Sequence, residues 1–285
     1  MKPKTTPLVF THIPKAAGNT INIIIQRNYL FSKGYFFNSP NVRMMGQFKN
    51  LPEHVRRKMA VIKGHLYYGV HKYCPLPVHY FTSLREPLSR AVSEYNYIFT
   101  IPHHPNYKEL HENQYTLKQL LENGLIKNMD NCQVRFLCGV DDIPFGAVNE
   151  EHLQLAIDNL EKRYEQVGIM EAFDESILLF ARKFNWATPY YTWQNVNHKK
   201  RVRLDELDSE TLEMLHRFNR YDMVLYEKGK QILQKQIEAA GPGFYDEVAK
   251  FRKSNAQLKP FIKARTFFVR YATQAKYYMG LQKGS

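Results

Sequence analysis

A short loop near the amino terminus combines residue types that bind a phosphate group. The run Pro14-Lys15-Ala16-Ala17-Gly18-Asn19-Thr20 follows a short apolar segment and precedes apolar residues at helical spacing. Free N–H groups in the first turn of a helix, at its positive dipole end, attract an anion. Small residues let the backbone approach that anion, Lys15 adds a charge and the Thr20 hydroxyl adds a donor. The loop predicts an anion site, with an ordinary strand-to-helix turn as the alternative.

The order of residues in this loop differs from that of a Walker A motif. In that motif the lysine follows the glycines, as G-x-x-x-x-G-K-[ST]. Here Lys15 precedes the loop's only glycine, Gly18. This order argues against a magnesium-dependent ATPase or GTPase, and a phosphotransferase or NTPase on a similar sheet stays as an alternative function.

A second run, Leu84-Arg85-Glu86-Pro87, stands where a predicted strand ends and a helix begins. Ligands of open α/β sheets bind at such strand ends. Ser93 follows Arg85 by about two helical turns, so one helix face can present both side chains. A guanidinium fork and a hydroxyl suit a phosphate monoester. The alternative is an ion pair of Arg85 or Arg90 with a neighbouring glutamate on a solvated helix.

One of the eleven histidines is well placed for proton transfer. His65 follows a predicted strand through Gly64, so we expect it at the carboxyl edge of the sheet, beside the two loops. His12, close to the first loop, is the alternative base. The histidines show no metal spacing such as H-E-x-x-H, and we therefore predict no metal.

A third candidate segment, 190–201, is aromatic and then basic. A Trp or Tyr in this segment could stack on a nucleobase, and Lys199, Lys200 and Arg201 could meet a phosphate or a carboxylate. A solvated basic loop without a ligand is the alternative.

The predicted elements alternate between strand and helix. Short apolar, β-branched or aromatic runs predict strands at 8–11, 61–65, 78–84 and 166–170. Helical spacing predicts helices after the first loop and at 87–99, 115–123, 130–138, 149–163, 173–184, 208–217 and 221–239. This alternation favours an α/β fold with a mostly parallel central sheet flanked by helices.

Composition and charge limit the class of protein. The chain has 285 residues, 40 Lys and Arg against 27 Asp and Glu, and a formal charge of +13. Its hydrophobic content of 44% excludes a disordered chain, and its three cysteines cannot form a disulfide framework. No uncharged apolar run approaches the ~18 residues of a membrane span, and no signal peptide is recognised. We expect a cytoplasmic protein that binds anions.

The charge is concentrated beyond Gly241-Pro242-Gly243, a cluster that ends a helix. Residues 241–285 hold nine basic and two acidic residues. We place a boundary here, between a main domain at 1–240 and a basic, aromatic helical extension at 241–285. One helical stripe of the extension carries Phe261, Ala264, Phe268, Tyr271, Ala275 and Tyr278. Such a stripe usually packs on the protein's own core or on a second subunit, with a membrane surface or a polyanion as the alternative partner.

Together, the two phosphate-binding runs resemble those of sulfotransferases that use 3′-phosphoadenosine 5′-phosphosulfate (PAPS). The shared features are a Pro-Lys-x-x-Gly loop after the first strand and Leu-Arg-Glu-Pro with a serine eight residues after the arginine. Within this superfamily the sequence looks most similar to the uronosyl (heparan and dermatan) 2-O-sulfotransferases and their bacterial relatives. Further similar stretches lie at 63–68, 131–139, 157–168 and 219–226, so the resemblance covers roughly residues 8–235.

The resemblance implies a P-loop-like nucleotide fold and a role for each matching residue. The residues that would hold the 5′-phosphosulfate are Lys15, Ala17, Gly18, Asn19 and Thr20. Arg85 and Ser93 would hold the 3′-phosphate, and Lys199 lies in the segment that matches the nucleotide and acceptor region. Lys15 would also neutralise charge on the bridging oxygen, and His65 would act as the general base.

The predicted reaction is the transfer of a sulfuryl group from PAPS to a hydroxyl of a carbohydrate or uronic-acid-containing glycan, without a metal. Ala17 and Lys63 depart from the residues common in the family, so a relative without catalysis is one alternative. A basic nucleic-acid-binding protein is another, supported by the +13 charge but without a recognisable DNA- or RNA-binding motif. We expect a nucleotide donor and an acidic or neutral glycan as partners, no nucleic acid, and leave a homo-oligomer open.

Overall fold

A five-stranded parallel sheet forms the centre of the molecule. The computed structural model describes residues 6–30, 32–37, 42–100, 102, 104, 106–194 and 202–278. Its strands are β1 (Leu8–Thr11), β2 (Gly34–Phe37), β3 (Val61–Gly64), β4 (His79–Leu84) and β5 (Tyr164–Ile169). They lie in the order β2-β3-β1-β4-β5, with every pairing parallel. The predicted α/β class with a mostly parallel sheet is confirmed.

Helices flank this sheet and continue beyond its last strand. In chain order they are α1 (Gly18–Asn28), α2 (Val42–Lys49), α3 (Glu53–Arg56), α4 (Pro87–Ile98), α5 (Tyr107–Glu112), α6 (Leu117–Glu122), α7 (Cys132–Cys138), α8 (Glu150–Lys162), α9 (Phe173–Lys183), α10 (Ser209–Ala240), α11 (Phe244–Gln257) and α12 (Lys259–Tyr278). No helix in the described ranges is both long and apolar enough to cross a membrane.

The central strands are apolar on both faces because helices cover both sides of a parallel sheet. In β1, Leu8, Val9 and Phe10 are all buried, and the ring of Phe10 stacks on Phe81 of β4 with centroids 4.8 Å apart. This is why the strand is a continuous apolar run in the sequence instead of an alternating one.

The strand order brings three loops together at one edge. β1 lies between β3 and β4, and Thr11 is paired with both Gly64 and Thr82. The carboxyl ends of parallel strands meet at the same edge of a sheet, where ligands bind. The loops that follow β1 and β3 and the start of α4 after β4 therefore converge there.

Several elements of the fold differ from those predicted. Helices α2, α3 and α5 are absent from the prediction. The edge strand β2, four residues that begin with Gly34, is also absent from the prediction. The helices predicted at 208–217 and 221–239 form one helix, α10, with a break at Asn219 (φ −121°, ψ 15°). The Asn219 amide donates to the carbonyl oxygens of Leu215 and Met129, 3.0 Å away in each case, which holds the break in place.

The C-terminal helices pack on the rest of the chain, but not through the predicted stripe. Phe244, Val248 and Phe251 of α11 are buried in the main core. Among the α12 side chains whose burial the structure describes, the buried ones are instead Ile262, Thr266 and Val269.

The expectation that the aromatic stripe of α12 covers the protein's own core is wrong. Phe261, Phe268 and Tyr271 are exposed by 75%, 63% and 68%. The aliphatic residues on the other side of α12 make the contact with the protein, and α12 packs against α1 and α11. The boundary at 240 between two domains stays a prediction.

Candidate active site

The loop after β1 has an unusual backbone. Lys15 (φ 66°) and Ala17 (φ 60°) are both left-handed, a conformation that costs a residue with a Cβ about 1–2 kcal/mol. Ala17 is the N-cap of α1, no side chain caps this helix within the described residues, and its first turn has no acidic residue. Left-handed loop residues before an uncapped helix leave backbone N–H groups free to bind an anion.

Gly18, the first residue of α1, is where this loop meets His12. A Cβ at this position would lie 1.9 Å from the His12 ring, so only glycine allows the approach. The His12 ring stacks on the His65 ring, with centroids 4.3 Å apart. Its Nδ1 is 3.3 Å from the Asn22 amide nitrogen. His12 is buried, and it joins the anion loop to the residue after β3.

The hydrogen bond of His65 fixes which ring nitrogen carries the proton. Its Nδ1 lies 2.8 Å from the carbonyl oxygen of His12. A carbonyl oxygen can only accept, so Nδ1 donates and the lone pair of the neutral ring is on Nε2. The Nε2 atom has no hydrogen-bond partner among the described residues, and it is therefore free to take a proton.

Burial and charge keep both histidines neutral. Burial lowers the pKa of His65, the His12 carbonyl and the Glu94 carboxylate raise it, and the Lys15 ammonium lowers it again. Burial also holds the pKa of His12 well below its usual value, helped by the charges of His65, Lys63 and Lys15. A neutral imidazole is the form that a general base needs.

Lys15 is held against α4. Its Nζ lies 3.8 Å from the centre of the Tyr97 ring. Burial lowers the pKa of Lys15 to about 8, while Glu94 raises it and Arg85 and Arg90 lower it. Tyr97 is one turn beyond Ser93, and both side chains are half-buried on the same face of α4. The Lys15 amine and the Ser93 hydroxyl therefore belong to one region of the site.

Arg85 connects the two predicted phosphate-binding runs. Its Nη1 donates to the carbonyl oxygen of Lys15, 3.0 Å away. Its other guanidinium nitrogens have no hydrogen-bond partner among the described residues. The neighbouring Glu86 instead caps α4, accepting from the N–H groups of Leu88 (2.9 Å) and Ser89 (2.7 Å). The alternative of an Arg85–Glu86 ion pair on a solvated helix is therefore wrong.

The backbone of Arg85 is held by a residue that the sequence did not single out. The Gln133 side chain accepts from the Arg85 N–H (3.0 Å) and donates to the Arg85 carbonyl oxygen (2.9 Å). Gln133 is fully buried. Its own N–H donates to the carboxylate of Asp222, 3.0 Å away, and burial raises the pKa of this carboxyl to about 6. The stretches at 131–139 and 219–226 thus position Arg85 through the hydrogen bonds of Gln133 and Asp222.

The segment before residue 195 crosses the start of α1. The Gln194 N–H donates to the buried Thr20 hydroxyl, 3.2 Å away. The Trp193 ring packs beside Phe173 and Tyr191, with centroids 4.8 and 5.2 Å away, and stays 46% exposed. The exposed indole therefore belongs to the residue just before the one that bonds to Thr20. Lys199 lies outside the described residues, as do Lys200 and Arg201.

Most of the predicted site residues meet at the carboxyl edge of the sheet. Those on the β1 loop and the start of α1 are Lys15, Ala17, Gly18, Asn19 and Thr20, those from β4 and α4 are Arg85 and Ser93, and His65 follows β3. Lys63 differs: its side chain is buried against the Phe36 ring, 5.6 Å away, and burial lowers its pKa to about 7. That these residues bind donor and acceptor stays a prediction.

Three further residues of the site were missed. Glu94 is buried, and its charge acts on both Lys15 and His65. Tyr97 lies under the Lys15 amine, and the ring of His104 meets that of Tyr97 edge-on, with centroids 6.2 Å apart. The signal for Tyr97 was its position one helical turn after Ser93. Within the described residues no three His, Cys, Asp or Glu side chains could share a metal ion.

The five-stranded parallel sheet flanked by helices is consistent with a sulfotransferase fold. The family model described as galactose-3-O-sulfotransferase matches residues 2–276. The chain therefore belongs to the galactose-3-O-sulfotransferase family. This confirms the resemblance to sulfotransferases, whereas the closer resemblance to uronosyl 2-O-sulfotransferases is not confirmed.

Individual relatives are distant. The chain is similar to human galactose-3-O-sulfotransferase 2, with 26% identity over 194 residues, which are 65% of this chain and 47% of the human protein. It is also similar to the mouse galactose-3-O-sulfotransferase 2, with 24% identity over 266 residues, or 84% of this chain and 64% of the mouse protein. The chain thus spans between about half and two thirds of these relatives.

Proposed function

We propose that this protein transfers a sulfuryl group from PAPS to a hydroxyl group of a galactose-containing carbohydrate. The observation that carries the proposal is the arrangement at the sheet edge. His65, with a free Nε2, follows the strand next to the one that carries the Lys15 loop, and Arg85 is hydrogen-bonded to that loop. Family membership supports sulfuryl transfer as the chemistry.

The donor fits the groups that the structure leaves free. A phosphosulfate is an anion suited to the uncapped start of α1 and the left-handed loop before it. The free nitrogens of Arg85 and the hydroxyl of Ser93 suit a second phosphate, the 3′-phosphate that distinguishes PAPS from ATP. Trp193, which is exposed and precedes the Gln194 that bonds to Thr20, offers a surface on which adenine could stack.

His65 and Lys15 would have complementary roles in the reaction. The Nε2 of neutral His65 accepts the proton of the acceptor hydroxyl as its oxygen bonds to sulfur. The bond from sulfur to the 5′-phosphate oxygen breaks at the same time, and the Lys15 ammonium neutralises the charge that develops on this oxygen. The His12 carbonyl holds His65 in the tautomer that this step requires.

The acceptor is inferred from the relatives. The matching family and both named relatives are described as galactose-3-O-sulfotransferases, so we infer a galactoside as acceptor. A uronate-containing glycan, suggested by the sequence, becomes the competing acceptor. Neither the nucleic-acid-binding alternative nor the phosphotransferase alternative is supported by the family match.

The donor assignment is tested by thermal shift with 3′-phosphoadenosine 5′-phosphate against ATP. We expect the desulfated donor to raise the Tm of the wild type much more than ATP does, because a ligand that binds only the folded state stabilises it. Arg85→Ala should lose this preference, whereas the exposed Arg163→Ala keeps it. Equal effects of both nucleotides, or an unchanged preference in Arg85→Ala, would disprove the donor site.

The base and the acceptor are tested by sulfate incorporation from labelled PAPS into a β-galactoside and into a uronate glycan. His65→Ala should lower kcat by about 10²–10⁴ while its affinity for the desulfated nucleotide stays close to that of the wild type. Full activity of His65→Ala would contradict its role. Labelling of the uronate glycan alone would contradict the galactoside acceptor without affecting the donor site.

A further inference from the structure

One face of α12 carries large aromatic side chains that cover nothing in the described residues. This aromatic face of α12 consists of Phe261, Phe267, Phe268 and Tyr271, which are exposed by 75%, 75%, 63% and 68%. Exposed apolar patches of this kind mark an interaction site more often than scattered single residues do. The aromatic face therefore indicates a binding surface for a partner.

The helix is held in place by its other face. At about 100° per residue, the aromatic face spans an arc of roughly 120°, and Tyr271 lies nearly opposite the buried Ile262, Thr266 and Val269. Through these buried residues α12 packs on the protein, next to α1 and α11. The aromatic face is therefore already formed and directed away from the protein.

Positive charge borders the aromatic face on both sides. On the helical projection, Lys263 and Arg270 lie beyond one border of the arc and Arg265 lies beyond the other, and all three are exposed. From Val248 to the end of the chain the sequence has no Asp or Glu. The charged residues that α12 itself places beside the aromatic face are thus all basic, which suits an anionic partner.

We propose that the aromatic face of α12 binds the surface of an anionic lipid bilayer. Phenylalanine rings lose contact with water when they enter the boundary between headgroups and acyl chains, and this burial favours binding. The flanking Lys and Arg side chains can extend to the anionic headgroups. A second copy of the chain is a poorer partner, because its basic borders would face identical borders with no acid to pair with. A soluble polyanion would use the basic residues but leave the Phe rings in water.

This surface has a fixed relation to the anion loop. Arg270 donates to the Gln194 side chain, 2.5 Å away, and the Gln194 N–H donates to Thr20 at the start of α1. A protein bound through α12 would therefore hold this end of α1 at a constant position relative to the bilayer. The proposed surface is independent of the reaction assigned above.

The proposal is tested by flotation of the full chain with vesicles of phosphatidylcholine alone and of phosphatidylcholine mixed with phosphatidylserine. We expect binding to the mixed vesicles, weakened by added salt. F268S/Y271S and, separately, K263E/R265E should each lower the partition coefficient by about tenfold or more. The matched controls V224S/Y245S and K58E/K235E change exposed residues elsewhere and should bind like the wild type.

The same variants distinguish the other partners. Equal binding to both kinds of vesicle, or undiminished binding by F268S/Y271S, overturns the proposal. So does a dimer in light scattering that F268S/Y271S abolishes, or binding to heparin or single-stranded DNA that displaces the protein from vesicles and survives in F268S/Y271S. The changed side chains are exposed, so we expect each variant to fold like the wild type. An unchanged Tm checks this.

Discussion

The two strand-to-helix junctions of the site differ in how the N-terminus of the helix is capped. At β1–α1 no side chain caps the helix within the described residues, and Lys15 and Ala17 are left-handed. At β4–α4 the Glu86 carboxylate accepts from the first N–H groups, and Pro87, without an N–H, occupies the first turn. The first helix therefore begins without a side-chain cap among the described residues, whereas the first N–H groups of the second are bonded to Glu86.

The two junctions therefore have different groups available to bind a ligand. In the first, backbone N–H groups and the charge of Lys15 can meet the anion. In the second, only side chains can do so, and Gln133 keeps Arg85 in position by bonding both polar groups of its backbone. Variants at four positions test this contrast and are given from the largest expected effect to the smallest.

Removing the Lys15 charge should have the largest effect. We expect Lys15→Ala to lower kcat/KM by about 10³, because charge at the leaving oxygen is no longer neutralised. Its pKa of about 8 predicts a fall in the wild-type kcat/KM above that pH, as Lys15 loses its proton. Lys15→Arg should move this fall to higher pH, and the exposed Lys58→Ala should leave the profile unchanged. A profile that Lys15→Arg does not move would assign the ionisation to another group.

Removing the support beneath Arg85 should come next. Gln133→Ala leaves the Arg85 N–H and carbonyl oxygen without partners, and we expect a loss of about 2–3 kcal/mol in the free energy of unfolding. Urea denaturation measures this loss, and titration calorimetry should show weaker binding of 3′-phosphoadenosine 5′-phosphate. The exposed Gln154→Ala is the control, with a change within about 0.5 kcal/mol. Unchanged nucleotide affinity in Gln133→Ala would show that Arg85 needs no support.

Removing the cap of α4 should cost less and should spare the anion site. Glu86→Ala should lower the free energy of unfolding by about 1 kcal/mol, as lost N-caps do, and Glu86→Asp should restore most of it. Because the carboxylate only caps the helix, nucleotide affinity should not fall. A loss of affinity as large as that of Arg85→Ala would show that the two junctions do not divide their roles as described.

Relieving the left-handed backbone before α1 should have the smallest effect and the opposite sign. Ala17→Gly should raise the free energy of unfolding by about 0.5–1 kcal/mol, because relief of the left-handed strain exceeds the entropy that glycine adds to the unfolded chain. Ala16→Gly, at the buried neighbouring residue whose φ is not positive, should instead destabilise. Thermal unfolding of both variants gives the comparison, and destabilisation by both would contradict the strain at Ala17.

Much of the site was predictable because its parts are local. Lys15 and Gly18 share one loop, and Arg85 and Ser93 share one helix face, so short spacing and helical period were enough to relate them. His65 was predictable from its place after a strand in an α/β fold. Tyr97 follows Ser93 by one turn of α4, but its contact with Lys15 joins this helix to the loop after β1, and it was missed.

The sequence by itself determined the class of fold, and it predicted that the two runs and His65 lie at one edge of the sheet. It could do so because hydrophobic periodicity and the order of strand, loop and helix depend on neighbouring residues. Only the tertiary structure decided the rest. Gln133 bonds to Arg85, 48 residues away, and His65 bonds to His12, 53 residues away. The tertiary structure also decided which face of α12 is buried. Such contacts depend on how helices and strands pack in space, and no local pattern encodes them.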